Sequence, residues 1–436
     1  VSSPIDRRRF LGSVFVPIAA LAVAPSLRPS RARAALGELA RRPGSPVEVA
    51  RDEDFWRAVG EAFTVGRDHI NFNNGGVSPA PAAVQESLAR HLEFANRSPA
   101  HNMWQVQAPE REAVRADLAA AFGCDAEEIA ITRNASEGLQ ICQFGLDLAP
   151  GDAVLTTDQD YPRMIATWKQ RARRDGILLH QLRVPDPALG DDELVRRFAR
   201  AMDRVRPRLV LICHMINLTG RILPVKAIVA AARERDIPVI VDGAHAFAHF
   251  PFRQAELDCD YYATSLHKWL FAPFGTGMLY VRRSKIAGLW PLMAAQVSQR
   301  EDVRKFEEIG THPVAVPLAI AEALEFHRLL TPERKAARLI HLRDRWVTRL
   351  AAHDRVRLNT PLEPGRSAGI ANVHVEGVDT PALVTHLWEA HRILVAGIGH
   401  RDCDGLRVSP SVYSTPEEVD RFCEAIESVL TRGLPG

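Results

Sequence analysis

From about residue 67 onward, short apolar β-branched runs alternate with amphipathic stretches of roughly ten to fifteen residues, and few architectures accept that rhythm. Residues 128–132 read as a strand and 136–148 as a helix. Strands follow at 153–157, 177–182 and 209–213, with helices at 163–175, 191–205 and 225–236 between and after them. Further strands are expected at 239–242, 261–264 and 277–281. Alternation of this kind implies βαβ units wound into a mostly parallel sheet covered by helices on both faces. Past Pro317 the pattern becomes helical to Leu330, and Pro332 restarts it through Leu350. Strands near 370–375 and 406–409 then alternate with helices at 381–391 and 416–430, a smaller α+β unit. A chain of 436 residues exceeds one ordinary core, so two domains are expected. The boundaries read as a leader over 1–34, an arm over 35–66, a large domain over 67–315 and a small domain over 316–436.

Sheets of this type bind ligands beyond the carboxyl ends of their strands, and two runs deliver polar residues there. Val239-Ile240-Val241 ends in Asp242, and Tyr261-Tyr262-Ala263-Thr264 leads to Ser265-Leu266-His267-Lys268. An acid and a lysine at neighbouring edge positions suit pyridoxal 5′-phosphate (PLP): the lysine would form an imine with the aldehyde, and the acid would pair with the pyridinium nitrogen. Lysine is scarce, occurring only at 169, 226, 268, 285, 305 and 335. Arginine stays protonated and cannot replace it in an imine. Lys169, Lys305 and Lys335 stand in polar, arginine-rich helical stretches, Lys226 opens a helix, and Lys285 follows a surface-like turn. Lys268 alone follows a strand among polar groups, although a solvated loop lysine would look much the same.

A net charge of +2 without a basic patch gives no electrostatic case for nucleic acid. The six cysteines form no Cys-x-x-Cys pair and read as reduced core residues. The histidines are scattered without a His-Glu-x-x-His pattern, so no catalytic metal is expected. At the N-terminus, Arg7-Arg8-Arg9-Phe10-Leu11 precedes an apolar stretch and then Ala32-Arg33-Ala34. This is the pattern of a twin-arginine export signal. It predicts passage through the twin-arginine translocase with cofactor already loaded, and a mature protein in the periplasm.

Several motifs punctuate the strand ends. They are Asn134-Ala135-Ser136-Glu137, Asp158-Gln159-Asp160-Tyr161-Pro162, His214-Met215-Ile216-Asn217-Leu218-Thr219-Gly220, Asp242-Gly243-Ala244-His245 and Ser265-Leu266-His267-Lys268-Trp269. Asn71-Phe72-Asn73-Asn74-Gly75-Gly76 precedes them; Glu308-Ile309-Gly310-Thr311 and Leu406-Arg407-Val408-Ser409 follow. Taken singly, each has an ordinary reading: Ser136 as a helix cap, His245 as a satisfied histidine, Arg407 as a surface arginine.

In this order the motifs resemble the class V aminotransferases of PLP fold type I, a group that includes cysteine desulfurases, kynureninases and isopenicillin N epimerase-like proteins. The resemblance spans essentially the whole chain after the leader. It implies that Ala135, Ser136, Ser265 and His267 surround the cofactor phosphate and that Tyr161 stacks on the ring. Asn217 and His245 would face the phenolic oxygen, Asp242 the ring nitrogen, and Lys268 would carry the imine. Arg407 would clamp a substrate carboxylate, with Asn74 contacting substrate and Asn102 and Trp104 near the entrance. Thr311 would reach the phosphate of a second subunit, which implies a homodimer with shared sites.

The reaction is less constrained. PLP permits transamination, epimerisation, elimination or decarboxylation, depending on which bond the pocket exposes. The segment before Arg407 has His400 near the position of a desulfurase cysteine, and Cys403 only four residues before Arg407. Chemistry at the α-amine of an amino acid or peptide-like substrate is therefore expected, by an epimerase or aminotransferase. Carbon–sulfur lyase or desulfurase chemistry is an alternative, and a non-catalytic PLP-binding or small-molecule-binding protein is a second one.

Overall fold

The structure is a computed structural model that describes residues 37, 42–184, 187 and 189–434. The export motif lies outside the described residues. Seven strands form the central sheet: β2 (Ile129–Thr132), β3 (Ala153–Thr157), β4 (Leu178–Leu182), β5 (Leu209–Cys213), β6 (Val239–Asp242), β7 (Tyr261–Ser265) and β8 (Gly277–Val281), after a short β1 (Ile70–Asn71) outside it. Their spatial order is β2-β8-β7-β6-β5-β3-β4. Strands β7, β6, β5, β3 and β4 pair in parallel, and β8 runs antiparallel to both β7 and β2. Six of the seven strands thus point the same way, and their carboxyl ends share one edge. Every residue of β5, β6, β7 and β8 is buried, which explains their uninterrupted apolar character. Two apolar clusters cover the two faces, one built around Phe122, Phe198 and Tyr262, the other around Leu139, Trp168 and Leu279.

The smaller sheet is antiparallel, ordered β12 (Ala396–Ile398), β13 (Gly405–Val408), β10 (Ala371–Val375) and β9 (Val356–Leu358). It has its own core, in which Trp346 of the Pro332–Leu350 helix meets Phe422 of the Pro416–Arg432 helix edge-on. Strand β1 pairs with β11 (Ile393–Leu394), and Asn73 bridges to Ser409, so the 70–76 segment is tied to the small domain.

Local chemistry moves several boundaries. The 128–132 strand starts at Ile129, because Asp125 caps a 3-10 turn over Ala126–Glu128. The helix expected from Ser136 begins at Ala135, because Asn134 accepts the Glu137 N–H as its cap. It stops at Gly145, short of 148, and the 225–236 helix stops at Arg233. Helices at Ala82–Arg97 and Ala108–Phe122, joined through a π-helical turn at Asn102–Gln107, precede the first central strand. Two lysines expected on polar helix faces are interior. Lys335 has no exposed surface and donates to the Trp269 carbonyl, while Lys305 donates to the carbonyls of Ile286 at 2.6 Å and Arg300 at 2.8 Å.

Candidate active site

At the shared edge, five strands hand over to five loops. β2 leads to Asn134–Ser136, β3 to Asp160–Tyr161, β5 to His214–Asn217, β6 to His245, and β7 to His267–Lys268. Between them lies a cavity of about 180 Å³ lined by residues including Ser136, Tyr161, Asn217, Asp242, His245, Ser265, His267 and Lys268. One glycine is essential to its shape. A Cβ on Gly277 would stand 2.5 Å from Asn134 Cα, so β8 can approach the 134–136 turn only without a side chain.

Lys268 Nζ lies 3.1 Å from His245 Nε2. Burial pulls the Lys268 amine down to about 8, and Arg407 pushes the same way, whereas Asp242 opposes it. Asp242 is buried and accepts the Ala244 N–H at 3.0 Å. Burial raises its carboxyl to about 6, against the pull of that N–H and of Lys268. His245 is held well below the usual imidazole range by burial and by Lys268 and Arg407, so its ring is neutral. Its Nδ1 is buried without a protein partner, as is Asn217 Oδ1.

The 134–137 turn supplies an anion seat at a helix N-terminus. Ser136 sits at the second helical position, lining the cavity, so Asn134 and not Ser136 is the cap. The Ala135 N–H is engaged by Ser265 Oγ at 3.0 Å, and His267 Nδ1 by the Thr276 carbonyl at 3.1 Å. Tyr161 is half-buried at the cavity wall; the carboxylate before it, Asp160, accepts from Thr156, Thr157 and the Cys213 N–H.

Arg407 is brought to this site from the small domain. It donates to the Asn217 carbonyl at 3.2 Å and to Asn73 Oδ1 at 2.7 Å, while its Nε is buried without a partner. Among the described residues no carboxylate pairs with it. Burial lowers its guanidinium to about 10. A buried cation facing only neutral acceptors is suited to an incoming carboxylate.

The structure corrects one substrate residue. Asn74 is fully buried, donating to the carbonyls of Asn71 and Ser409 and accepting from the Tyr413 hydroxyl at 2.6 Å. Asn73 is the one that meets Arg407. Period-2 alternation carried the signal, since Phe72 and Asn74 face inward together while Asn71 and Asn73 share the other side. Asn102 is likewise turned inward, donating to the Phe94 carbonyl at 2.7 Å, and Trp104 is exposed; neither lines the cavity. Thr311 is exposed and apart from Lys268 within one chain. Its neighbours Ile309 and His312 line a separate open cavity of about 370 Å³ that shares Asn134 with the first. His214 is buried against Phe250 and Phe252 and lowered to about 3 by burial.

The 400–403 loop is clamped to the large domain. Asp402 takes both Nε and Nη2 of Arg183, and Arg401 reaches Asp158 at 2.9 Å. Cys403 is buried beneath it, its thiol pushed up to about 12.

The residues fit PLP on these observations. A lysine amine and a carboxylate share one small cavity, a helix N-terminus opens into it, and two orphaned polar atoms await partners. The model of the family described as aminotransferase class-V matches residues 70–422. The chain is 30% identical over 386 residues to the isopenicillin N epimerase of Streptomyces clavuligerus, covering 83% of this chain and 94% of that protein. It is 25% identical over 387 residues to a cysteine desulfurase of Haloferax volcanii, covering 82% and 89%. Among solved structures, the apo cysteine desulfurase of Thermococcus onnurineus superposes with a TM-score of 0.76 at 23% identity, covering 86% and 97%. The cystine C-S lyase C-DES, in complex with cysteine persulfide, superposes at 0.73 with 25% identity, covering 82% and 97%.

Proposed function

The chain belongs to the class V aminotransferase family and is a PLP-dependent enzyme; from that premise we propose that it acts on the α-amino group of an amino acid or peptide-like substrate, removing and returning the Cα proton as an epimerase does. The observation that carries this reading is the buried Arg407 with no counterion among the described residues, set beside the Lys268–His245 contact. Asp242 and Lys268 would hold PLP, which would supply the electron sink that makes a Cα proton removable. The chain's own residues do the rest. Arg407, steadied by Asn73, holds the substrate carboxylate and so fixes Cα. Asp242 presents a buried carboxylate to the ring nitrogen. Lys268 Nζ would accept the Cα proton on the face it occupies, and inversion would follow when a proton is returned to Cα from the opposite face. His245 accepts a hydrogen bond from Nζ and keeps it aimed.

Carbon–sulfur cleavage is the second reading, favoured by the likeness to C-DES and to cysteine desulfurases. Desulfurase chemistry needs an accessible nucleophilic thiol. Five of the six cysteines are buried and Cys124 is half-buried. Cys213, which lines the cavity, is held far above the thiol range by burial and by Asp160 and Asp242. These facts weigh against a persulfide on the enzyme, leaving lyase chemistry without one.

Turnover of an amino-acid panel in deuterated water separates the readings. Deuterium at Cα without keto acid supports epimerisation, keto acid supports transamination, and sulfide or persulfide release supports the lyase. If no deuterium enters any substrate that perturbs the cofactor spectrum, the epimerase reading fails.

Export by the twin-arginine route and a periplasmic site are part of the proposal, supported by Arg7-Arg8-Arg9-Phe10-Leu11. A reporter fused to residues 1–34 should reach the periplasm and be retained after Arg7→Lys with Arg8→Lys; unaffected export removes the proposal. A homodimer is proposed as well, supported by the exposed 309–312 loop beside an open cavity. Sedimentation at micromolar concentration tests it, and a monomer overturns it.

A further inference from the structure

Behind Lys268 and His245 stands His249, a fully buried histidine with no place in the chemistry above. Its Nδ1 lies 2.8 Å from the His245 carbonyl, and its Nε2 accepts the Gly369 N–H at 2.9 Å. These two bonds require a neutral ring carrying its proton on Nδ1. The same ring stacks on Trp269, the residue after Lys268, with centroids 3.7 Å apart and planes 17° from parallel. The backbone of Trp269 is held in turn by the buried Lys335, which donates to its carbonyl and lies over the Phe271 ring at 4.0 Å. Phe271 itself adopts φ 63°, a left-handed conformation that a phenylalanine reaches only when its surroundings impose it. One imidazole therefore touches the backbone of His245 and the neighbour of Lys268 at once.

We infer that His249 is a positioning residue that fixes both members of the Lys268–His245 pair, its hydrogen bond to the His245 carbonyl setting the 3.1 Å contact between Nζ and Nε2. The Gly369 N–H ties this support to the segment leading into β10, and β10 pairs with β13, which carries Arg407. The inference rests on Lys268 being the catalytic amine and is independent of the reaction that follows.

The test uses cofactor-free full-length protein. Lys268 is acetylated with acetic anhydride across a pH range, and modification is read by mass spectrometry. The charged groups facing Nζ are Asp242 and Arg407, with Cys213 and the neutral His245 beside it; Lys335 and Arg343 face His249. His249→Phe keeps the stack on Trp269 and loses the donor, so Nζ loses an acceptor that favours its charged form. Its midpoint should move about one pH unit lower. His249→Asn loses the stack but keeps a donor for the His245 carbonyl, and should return the midpoint towards wild type. A normal midpoint in His249→Phe, or a shift confined to His249→Asn, overturns the inference. Should His249→Phe not fold, Gly369→Ala crowds Leu339 Cβ at 2.7 Å and His249 Nε2 at 3.0 Å, and Leu339→Ala made beside it relieves the first contact and leaves the second. A wild-type midpoint there also overturns it. Because no substrate or cofactor enters this measurement, failure of the epimerase reading leaves the result interpretable.

Discussion

Arg407→Met gives the sharpest test of the site, because stability and function should respond differently. Wild-type Arg407 is a buried guanidinium lowered to about 10 by burial. A base with a depressed folded-state pKa costs stability at every pH below that value, and here the cost is about 3 kcal/mol. Its hydrogen bonds at 3.2 Å to the Asn217 carbonyl and 2.7 Å to Asn73 Oδ1 return a comparable amount, at about 1.5 kcal/mol or more each for a charged donor. Replacement by methionine removes both the cost and the bonds at similar volume. The melting temperature should then change by only a few degrees.

Binding has no such compensation. A substrate carboxylate loses its only proposed cationic partner and two charge-assisted hydrogen bonds, together roughly 3–6 kcal/mol, so kcat/KM should fall about a hundredfold to ten-thousandfold. Arg407→Lys keeps the charge but not the planar fork and should lose about tenfold to a hundredfold, mainly in KM. Steady-state kinetics beside thermal melts measure both quantities. If Arg407→Met melts more than ten degrees lower while kcat/KM stays within threefold, Arg407 is a structural cation and the carboxylate clamp is refuted.

Other outcomes follow from the same geometry. Lys268→Ala should lose the PLP absorbance above about 400 nm and the borohydride-fixed cofactor, and an adduct on another lysine after reduction would displace Lys268 from its role. Asp242→Asn removes the carboxylate proposed to face the ring nitrogen, and kcat should drop at least about a hundredfold with little change in PLP content; unchanged kcat refutes the pairing. Lys268 is depressed to about 8, so its neutral, reactive form appears as pH rises through that value; acetylation of the cofactor-free protein should reach half-maximum near there, and a midpoint near the ordinary lysine value of about 10.4 contradicts the burial argument. Gly277→Ala places a methyl against the Asn134 turn and should weaken PLP retention on dialysis while the fold persists; full retention would show that the turn adapts.

What the sequence could convey depended on how local the cause was. That Asp242, His245 and Lys268 meet at one sheet edge was readable because a buried strand is marked by its own apolar residues, and the polar residue that ends it must stand at that edge. Fold class follows from the same local rhythm. Asn74 was misassigned for a reason of the same kind, since choosing between adjacent asparagines needs the inward–outward register, and Phe72 holds that information two positions away. Lys335 shows the other limit. Pro332–Leu350 has an amphipathic sequence, yet Lys335 is turned onto the interior face because the Trp269 carbonyl, sixty-six residues earlier, takes its amine. No window of sequence around either residue reports that meeting. His249 escaped for the same reason, because its meaning lies in joining its neighbour His245 to two partners from other segments, Trp269 and Gly369. Residues that touch the ligand announce themselves at strand ends, whereas residues that hold those in place are defined by long-range packing. A search of sequence alone will therefore find the reactive groups of such a site before it finds what aims them.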